Sequence, residues 1–521
     1  MQQYLMAIDA GTGSVRAVIF DTEGNQIAVV QREWTHREEA GVPGSMAFDW
    51  EANWGLADGC IRESLAEAGV RGEQIVAVSA TSMREGIVLY DADGRELWAV
   101  ANVDARAGEE VRALKEQYPG IEEVFYARSG QTFALGALPR LLWLKHHHPE
   151  LYSRVHRISM IGDWVLARLG GVIATDPSNG GTTGVFSLED RDWVPEMAAR
   201  VGLGDAIFPP TLEPGAVMGT VTQAAAEMTG LSAQTRVVMG GGDVQLGAAG
   251  LGVVAPGDAA VLGGSFWQQV VNIPATTPPP SDMSIRVNPH VIPGLSQAEG
   301  ITFFSGLVMR WFRETFCAAQ IAEADAEGID VYALLDCKAQ AVPPGSHGIL
   351  PIFSDSMKYG RWYHAAPSFL NLTLDPDRSS IPVLYRSLLE NAAIVSAINL
   401  EKIVAFAGVE IDRLVFAGGA SQSPLWAQIV ADVTGYEVAI PRVTEATALG
   451  AAMAAGVGAG IYDDMVSASE QLVQWEKTYA PNAENKPIYE ALRTRWKAAY
   501  AKQLELVDGG VTTSMWRAPG V

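Results

Sequence analysis

Glycine in this chain gathers in clusters that directly follow short aliphatic and β-branched runs, and this placement restricts the fold more than any other feature. Residues 4–8 and 16–20 read as strands separated by Gly11-Thr12-Gly13-Ser14, with a third strand near 26–32, so the chain opens as an antiparallel meander with a glycine-rich first hairpin. The pattern recurs at residues 259–262 and 267–272, separated by Gly263-Gly264-Ser265, with Gly263 lying 252 positions after Gly11 in a chain of 521. Two lobes, each begun by such a hairpin, is the simplest reading; two unrelated Gly–Ser hairpins is the alternative. The expected division is residues 1–250 and 251–521, with the boundary near 245–258.

Between the hairpins the chain alternates. Helical spacing covers residues 51–68, 140–147, 164–169, 304–316 and 383–407, and strand-like runs cover 75–80, 414–416 and 437–440. This is an α/β pattern. A composition of 48% hydrophobic and 19% charged residues is that of a folded enzyme. A formal net charge of −23 disfavours broad contact with nucleic acid or an anionic membrane. The three cysteines, Cys60, Cys317 and Cys337, form neither a CxxC pair nor an even framework. With an opening segment that lacks a basic n-region and no run of 18 apolar residues, the expected location is the cytoplasm.

Four motifs carry chemistry. Asp9-Ala10-Gly11-Thr12-Gly13-Ser14-Val15-Arg16 can wrap phosphate oxygens with backbone N–H groups, two hydroxyls and a guanidinium, while Asp9 ends a buried strand where it can orient Mg²⁺ through water. A plain Asp–Gly turn is the alternative. The order matches neither GxxxxGK[ST] nor GxGxxG. The run Val237–Gly242 delivers Asp243 behind three glycines, so something must approach the backbone closely there; Asp243 reads as a catalytic base or as a helix N-cap. Phe416-Ala417-Gly418-Gly419-Ala420 followed by Ser423 makes a small-residue slot for a flat ring or a phosphate. Glu445-Ala446-Thr447-Ala448-Leu449-Gly450 opens a helix of small residues, suited to packing beside that slot or to close packing on another helix. Arg84, Glu85, Asn102, Asp104 and Arg106 form a hydrogen-bonding cluster able to orient a short oxygen-rich molecule, or a charge network that pairs with itself. His146-His147-His148 sits at a helix end and reads as that, not as a metal site.

DAGTGSVRAVIFD, the GGGD turn, LGGSFW, FAGGASQSPLW and EATALGAAMAAG occur in the order of the FGGY carbohydrate kinases, and the resemblance covers essentially the whole chain. It implies two ribonuclease-H-like lobes of the hexokinase–actin–Hsp70 superfamily with a cleft between them, the first holding substrate and base and the second the nucleotide. Asp243 matches the family's catalytic aspartate. Thr12, Gly13, Ser14, Arg16, Gly264 and Ser265 are implied to meet the ATP phosphates. Gly306, Arg310, Gly419, Ala420 and Ser423 are implied to line the nucleotide site. Mg²⁺ is implied at Asp9 and Asp243 through water, and Arg84 and Glu85 match a pair that binds substrate hydroxyls.

The strings SMREGIVLY, ANVDARA, VNPHVIPG and PIFSDSMKYGRWYHAAPSF resemble one subgroup whose substrate is the open-chain 4,5-dihydroxy-2,3-pentanedione. Where many relatives carry Gly-Glu-Arg followed by Pro–Trp, this chain has Ser354-Asp355-Ser356-Met357-Lys358. Another ketose or polyol, such as a pentulose or erythrulose, is the alternative acceptor. The resemblance also admits a phosphotransferase-system protein such as HPr as a regulatory partner. An actin- or chaperone-like switch shares the ATP loops, but the GGGD turn and Arg84–Glu85 argue against it. A catalytically dead regulator is disfavoured by the retained aspartate.

Overall fold

The computed structural model describes residues 2–134, 136–353 and 363–518, so the Ser354–Lys358 departure lies outside the described residues. Two mixed sheets form the frame. The first contains β1 (Tyr4–Ala10), β2 (Ser14–Asp21), β3 (Gln26–Glu33), β4 (Ile75–Ser82), β5 (Val217–Thr220) and β6 (Arg236–Gly242) in the order β5-β6-β4-β1-β2-β3. The second contains β7 (Ala259–Gly263), β8 (Trp267–Pro274), β9 (Arg286–Pro289), β10 (Leu295–Thr302), β11 (Arg413–Ala417), β12 (Glu437–Pro441) and β13 (Trp475–Tyr479) in the order β9-β10-β8-β7-β11-β12-β13.

The five core strands of the two sheets have the same wiring: β1, β2 and β3 pair antiparallel in turn, as do β7, β8 and β10, while β1 pairs parallel with β4 and β4 with β6, as β7 does with β11 and β11 with β12. An antiparallel strand closes each far edge, and the second sheet alone adds β9 at the other. These are ribonuclease-H-like lobes, and their shared topology favours duplication over two coincidental hairpins.

Five helices shape the centre: α1 (Asp243–Gly250), α2 (Ser305–Phe316), α3 (Val331–Gln340), α4 (Ile381–Ala407) and α5 (Ala446–Ala459). An 18-residue stretch of the helical segment Pro376–Ala407 that contains α4 is apolar enough to meet the composition of a membrane span, yet 83% of that stretch is buried, and α4 forms the spine of the second lobe.

Helices α1 and α5 change sides. Helix α1 follows the last core strand of the first sheet but buries Val244 and Ala248 against Ala260, Val270, Val415 and Ala417 of the second. Helix α5 follows β12 of the second sheet but buries Ala451, Ala452 and Ala455 with Leu5, Ala7, Val18 and Val238 of the first. Where they cross there is no room for side chains. A Cβ on Gly250 would lie 2.0 Å from the Ala446 carbonyl oxygen, and one on Gly450 would lie 2.0 Å from that of Leu246. The small-residue helix therefore packs on another helix rather than beside the glycine slot.

Gly450→Val should cost about 1–3 kcal/mol or more, because both neighbours are backbone and neither can move aside. Chemical denaturation checks this; an unchanged midpoint would mean that the crossing is looser than these contacts require.

Candidate active site

The first hairpin is held from behind. Trp34 Nε1–H donates to the carbonyls of Gly11 at 3.0 Å and Thr12 at 3.3 Å, His36 Nε2 lies 2.8 Å from the Thr12 carbonyl, and Asn102 Nδ2 donates to Thr12 Oγ1 at 3.0 Å. With its carbonyls occupied at the rear, the hairpin leaves Thr12 and Gly13 exposed. Asp9 and Arg16 face each other across the β1–β2 register. The Arg16 guanidinium lies 3.6 Å from Asp9 through Nε and 2.5 Å from Glu445 through Nη1. Burial pushes the Asp9 carboxyl up to about 6, although Arg16 pulls it down.

Asp243 stands where β6 becomes α1. The three glycines before it answer to protein neighbours. A Cβ on Gly240 would fall 1.8 Å from the Ala80 carbonyl oxygen, one on Gly241 would fall 2.7 Å from Val291 Cγ1, and one on Gly242 would fall 3.2 Å from the Arg84 side chain. The close approach expected from the sequence is thus made by β4 and by the side chains around the turn. Gly242 N–H donates to Ser178 Oγ at 2.8 Å, which fixes the turn. Gly242 is the N-cap and Asp243 the first helical residue, its carboxylate accepting from Val244 N–H at 2.8 Å. Burial among protein atoms pushes the Asp243 carboxyl up to about 7; Arg84, with Nε 3.6 Å away, opposes this and Asp9 reinforces it. The side chain nevertheless keeps 35% exposure toward the cleft, so an incoming molecule can reach it.

The remaining cluster divides. Both terminal nitrogens of Arg84 donate to Glu299, at 2.5 and 3.0 Å, while Glu85 pairs with Arg286. Burial alone would raise the Glu85 carboxyl, but Arg286 and then Arg84 hold it below the usual carboxylate range. Glu85 has φ 67°, an uncommon backbone conformation for a residue with a side chain. Asp104 and Arg106 pair with each other at 2.9 Å, and both side chains are fully buried. Arg106 also bonds Glu39 at 2.6 Å and lies against the rings of Trp98 and Trp143. Self-pairing, the alternative left open by the sequence, is the arrangement observed at these two positions. Asn102 joins the hairpin and not that pair. His147 stacks on Trp143 and bonds Glu110 at 3.2 Å.

A cavity of about 690 Å³ opens in the second lobe. Gly264, Ser265, Gly306, Arg310, Gly419, Ala420 and Ser423 all line it, so the segments read from sequence as nucleotide-binding converge on one space. Helix α3 supplies a wall that sequence reasoning missed, through Tyr332 and Asp336, with Asp336 bonded to Tyr385 of α4 at 2.9 Å. No sequence signal distinguishes this wall, since Asp336 is one of several polar residues in α3, with Lys338 and Gln340.

Among the described residues no group of three or more His, Cys, Asp or Glu side chains could hold a metal ion. Two cleft carboxylates suit an ion that keeps most of its waters and takes other ligands from a polyphosphate, which is the habit of Mg²⁺.

Known proteins resemble this chain along its whole length. Residues 4–250 match the FGGY family of carbohydrate kinases, N-terminal domain, and residues 270–459 match its C-terminal domain. The chain is 56% identical to proteins named autoinducer-2 kinase from Enterobacter sp. (strain 638) and Salmonella typhimurium, over 99% of this chain and 98% of theirs. Among solved structures, xylulose kinase from Rhodospirillum rubrum matches with a TM-score of 0.86 at 24% identity, covering 97% of this chain and 99% of that one. Plasmodium falciparum glycerol kinase with ADP matches with a TM-score of 0.81 at 18% identity, covering 96% and 98%.

Asp243→Asn should raise thermal stability, and by more at pH 8 than at pH 5. The carboxyl is raised in the folded state, so between its ordinary value of 3.8 and about 7 the folded protein binds more protons than the unfolded chain, and stability falls as pH rises. Asparagine removes that loss. A melting-temperature difference that is flat with pH, or of opposite sign, would contradict the assigned environment.

Proposed function

The chain belongs to the FGGY family of carbohydrate kinases, and from that membership we propose that it transfers the γ-phosphoryl group of ATP to the terminal primary hydroxyl of the open-chain 4,5-dihydroxy-2,3-pentanedione, the linear form of autoinducer-2. The observation that carries the choice of acceptor is the 56% identity, end to end, with proteins named autoinducer-2 kinase. The solved structures support the fold alone.

In this reading the acceptor lies against the first lobe beside Arg84 and Glu85, and the nucleotide occupies the cavity of the second lobe. Asp243 accepts the hydroxyl proton as the alcohol oxygen bonds the γ-phosphorus and the bond to the β–γ bridging oxygen breaks, releasing ADP. A carboxylate raised to about 7 is a stronger base than an ordinary one and is still largely ionised above neutrality. The proton moves late in a loose transition state, so positioning and charge stabilisation carry most of the rate. Asp9 and Asp243 would hold Mg²⁺ through water, and the ion would supply charge neutralisation on the phosphates. Arg16 turns from Glu445 to the phosphoryl oxygens, while the N–H groups of the two hairpins, at Thr12–Ser14 and Gly264–Ser265, cradle the phosphates. Closure of the lobes on both substrates excludes water.

Two measurements test this. In an ADP-release assay across a panel, the five-carbon dione should give a higher kcat/KM than xylulose, ribulose, erythrulose or glycerol, because a site built to bond particular oxygens rejects molecules that leave them unpaired. A higher value for one of the others would reassign the chain to a general ketose or polyol kinase. Asp243→Asn should lower turnover by about 10²–10⁴-fold while nucleotide binding persists; near-normal turnover at saturating substrates would remove Asp243 as the base.

A further inference from the structure

Arg84 and Glu85 do not stand alone in the first lobe. On the second sheet, Arg286 of β9 and Glu299 of β10 are opposite one another in antiparallel register. Glu299 takes both terminal nitrogens of Arg84, and Arg286 donates to Glu85. An Arg–Glu dipeptide from one lobe therefore meets a cross-strand Glu–Arg pair from the other, with the signs alternating around the four groups.

Neutral side chains complete a ring. Gln245 and Asn288 donate to Glu299 at 2.9 and 2.7 Å. Gln131 donates to Asn288 at 2.8 Å and accepts from Arg286 Nε at 2.8 Å. The Glu299 side chain is fully buried, and that of Arg286 is 10% exposed. Removing one member of such a buried set leaves its partner's charge uncompensated, so the four act as a unit.

This arrangement has a chemical consequence. With its terminal nitrogens turned toward Glu299, Arg84 presents its Nε edge to Asp243. Glu85 is fixed as an anion in a backbone conformation held by Arg140, which donates to its carbonyl. The four charges cancel in pairs and the carboxylate of Asp243 offsets the guanidinium of Arg140, so the floor offers oriented hydrogen-bonding edges but no surplus positive charge.

We propose that Arg286 and Glu299 are positioning residues of the acceptor site: this cross-strand pair, supplied by the nucleotide-side lobe, sets the directions of Glu85 and Arg84 and thereby selects a short, uncharged, oxygen-rich acceptor over a carboxylated or phosphorylated one. The proposal rests on the kinase reading above and deepens it by naming what shapes the acceptor pocket.

The test is steady-state kinetics of Arg286→Gln, Glu85→Gln, their double variant and Glu299→Gln. Each varies ATP and then acceptor, using whichever panel compound the unsubstituted enzyme turns over best. Each single variant should raise the acceptor KM by about tenfold or more and leave the ATP KM within about twofold, a split that a general loss of structure does not produce. In the double variant the second substitution should cost less than about threefold, because its partner is already gone. Arg286→Lys, which keeps the charge but loses the fork, should recover only part of the loss.

Should Glu299→Gln fail to fold, Glu299→Asp is read in the same way, since it keeps the charge and shortens the reach. Equal changes in both KM values, or a lowered melting temperature with unchanged acceptor kinetics, would overturn the proposal and leave the pair as a structural clamp. Best turnover on a pentulose overturns the choice of acceptor alone, and the KM split still decides the role of the pair.

Discussion

Backbone meets backbone where α1 and α5 cross at Gly250 and Gly450, and each helix is anchored on the sheet of the opposite lobe. The sheets cannot separate without pulling a helix out of an apolar layer. The chemistry hangs from the ends of this pair. Asp243 begins α1, and Glu445, which holds Arg16, immediately precedes α5. Because the core strands of the two lobes share one wiring, these carboxylates occupy corresponding places in each half, one beside Arg84–Glu85 and the other beside the first glycine hairpin.

An acidic protein that handles a polyphosphate must gather its few positive groups locally. Here Arg16 lies between Asp9 and Glu445, and Arg84 lies between Glu299 and Asp243. Glu299 keeps Arg84 placed before any substrate arrives, so less is lost in ordering it when one does, whereas Arg16 exchanges Glu445 for its new partner. Burial works against ionisation of Asp9 and Asp243, and that cost is stored where a cation and a reacting proton would relieve it.

Much of this was legible in the chain. Both hairpins announced themselves by glycine between β-branched runs, and the α1 turn did so by three glycines before a carboxylate. Tertiary contacts escaped notice. Gly240 and Gly241 answer to Ala80 and Val291, which are distant in sequence, and Gly242 to the nearby Gln245 and the distant Arg84, not to a ligand. Strands β9 and β10 have a polar pattern: Arg286, Asn288, Gln297 and Glu299 are buried and satisfied by one another and by Glu85, Gln131, Gln245 and Asn272, so hydropathy gives no sign of a strand. Asp104 and Arg106, two positions apart, suggested a ligand cluster, and only the placement of Trp98, Trp143 and Glu39 around them shows a packed pair. Helix α3 lacks a flanking glycine motif and went unread, although it walls the cavity.

A structure with the acceptor, Mg²⁺ and a non-hydrolysable ATP analogue bound together tests the central claim most directly. The account predicts the acceptor's terminal hydroxyl within about 2.6–3.2 Å of the Asp243 carboxylate and in line with the γ-phosphorus. A hydroxyl turned away from Asp243, with another group in contact with its proton, would contradict it.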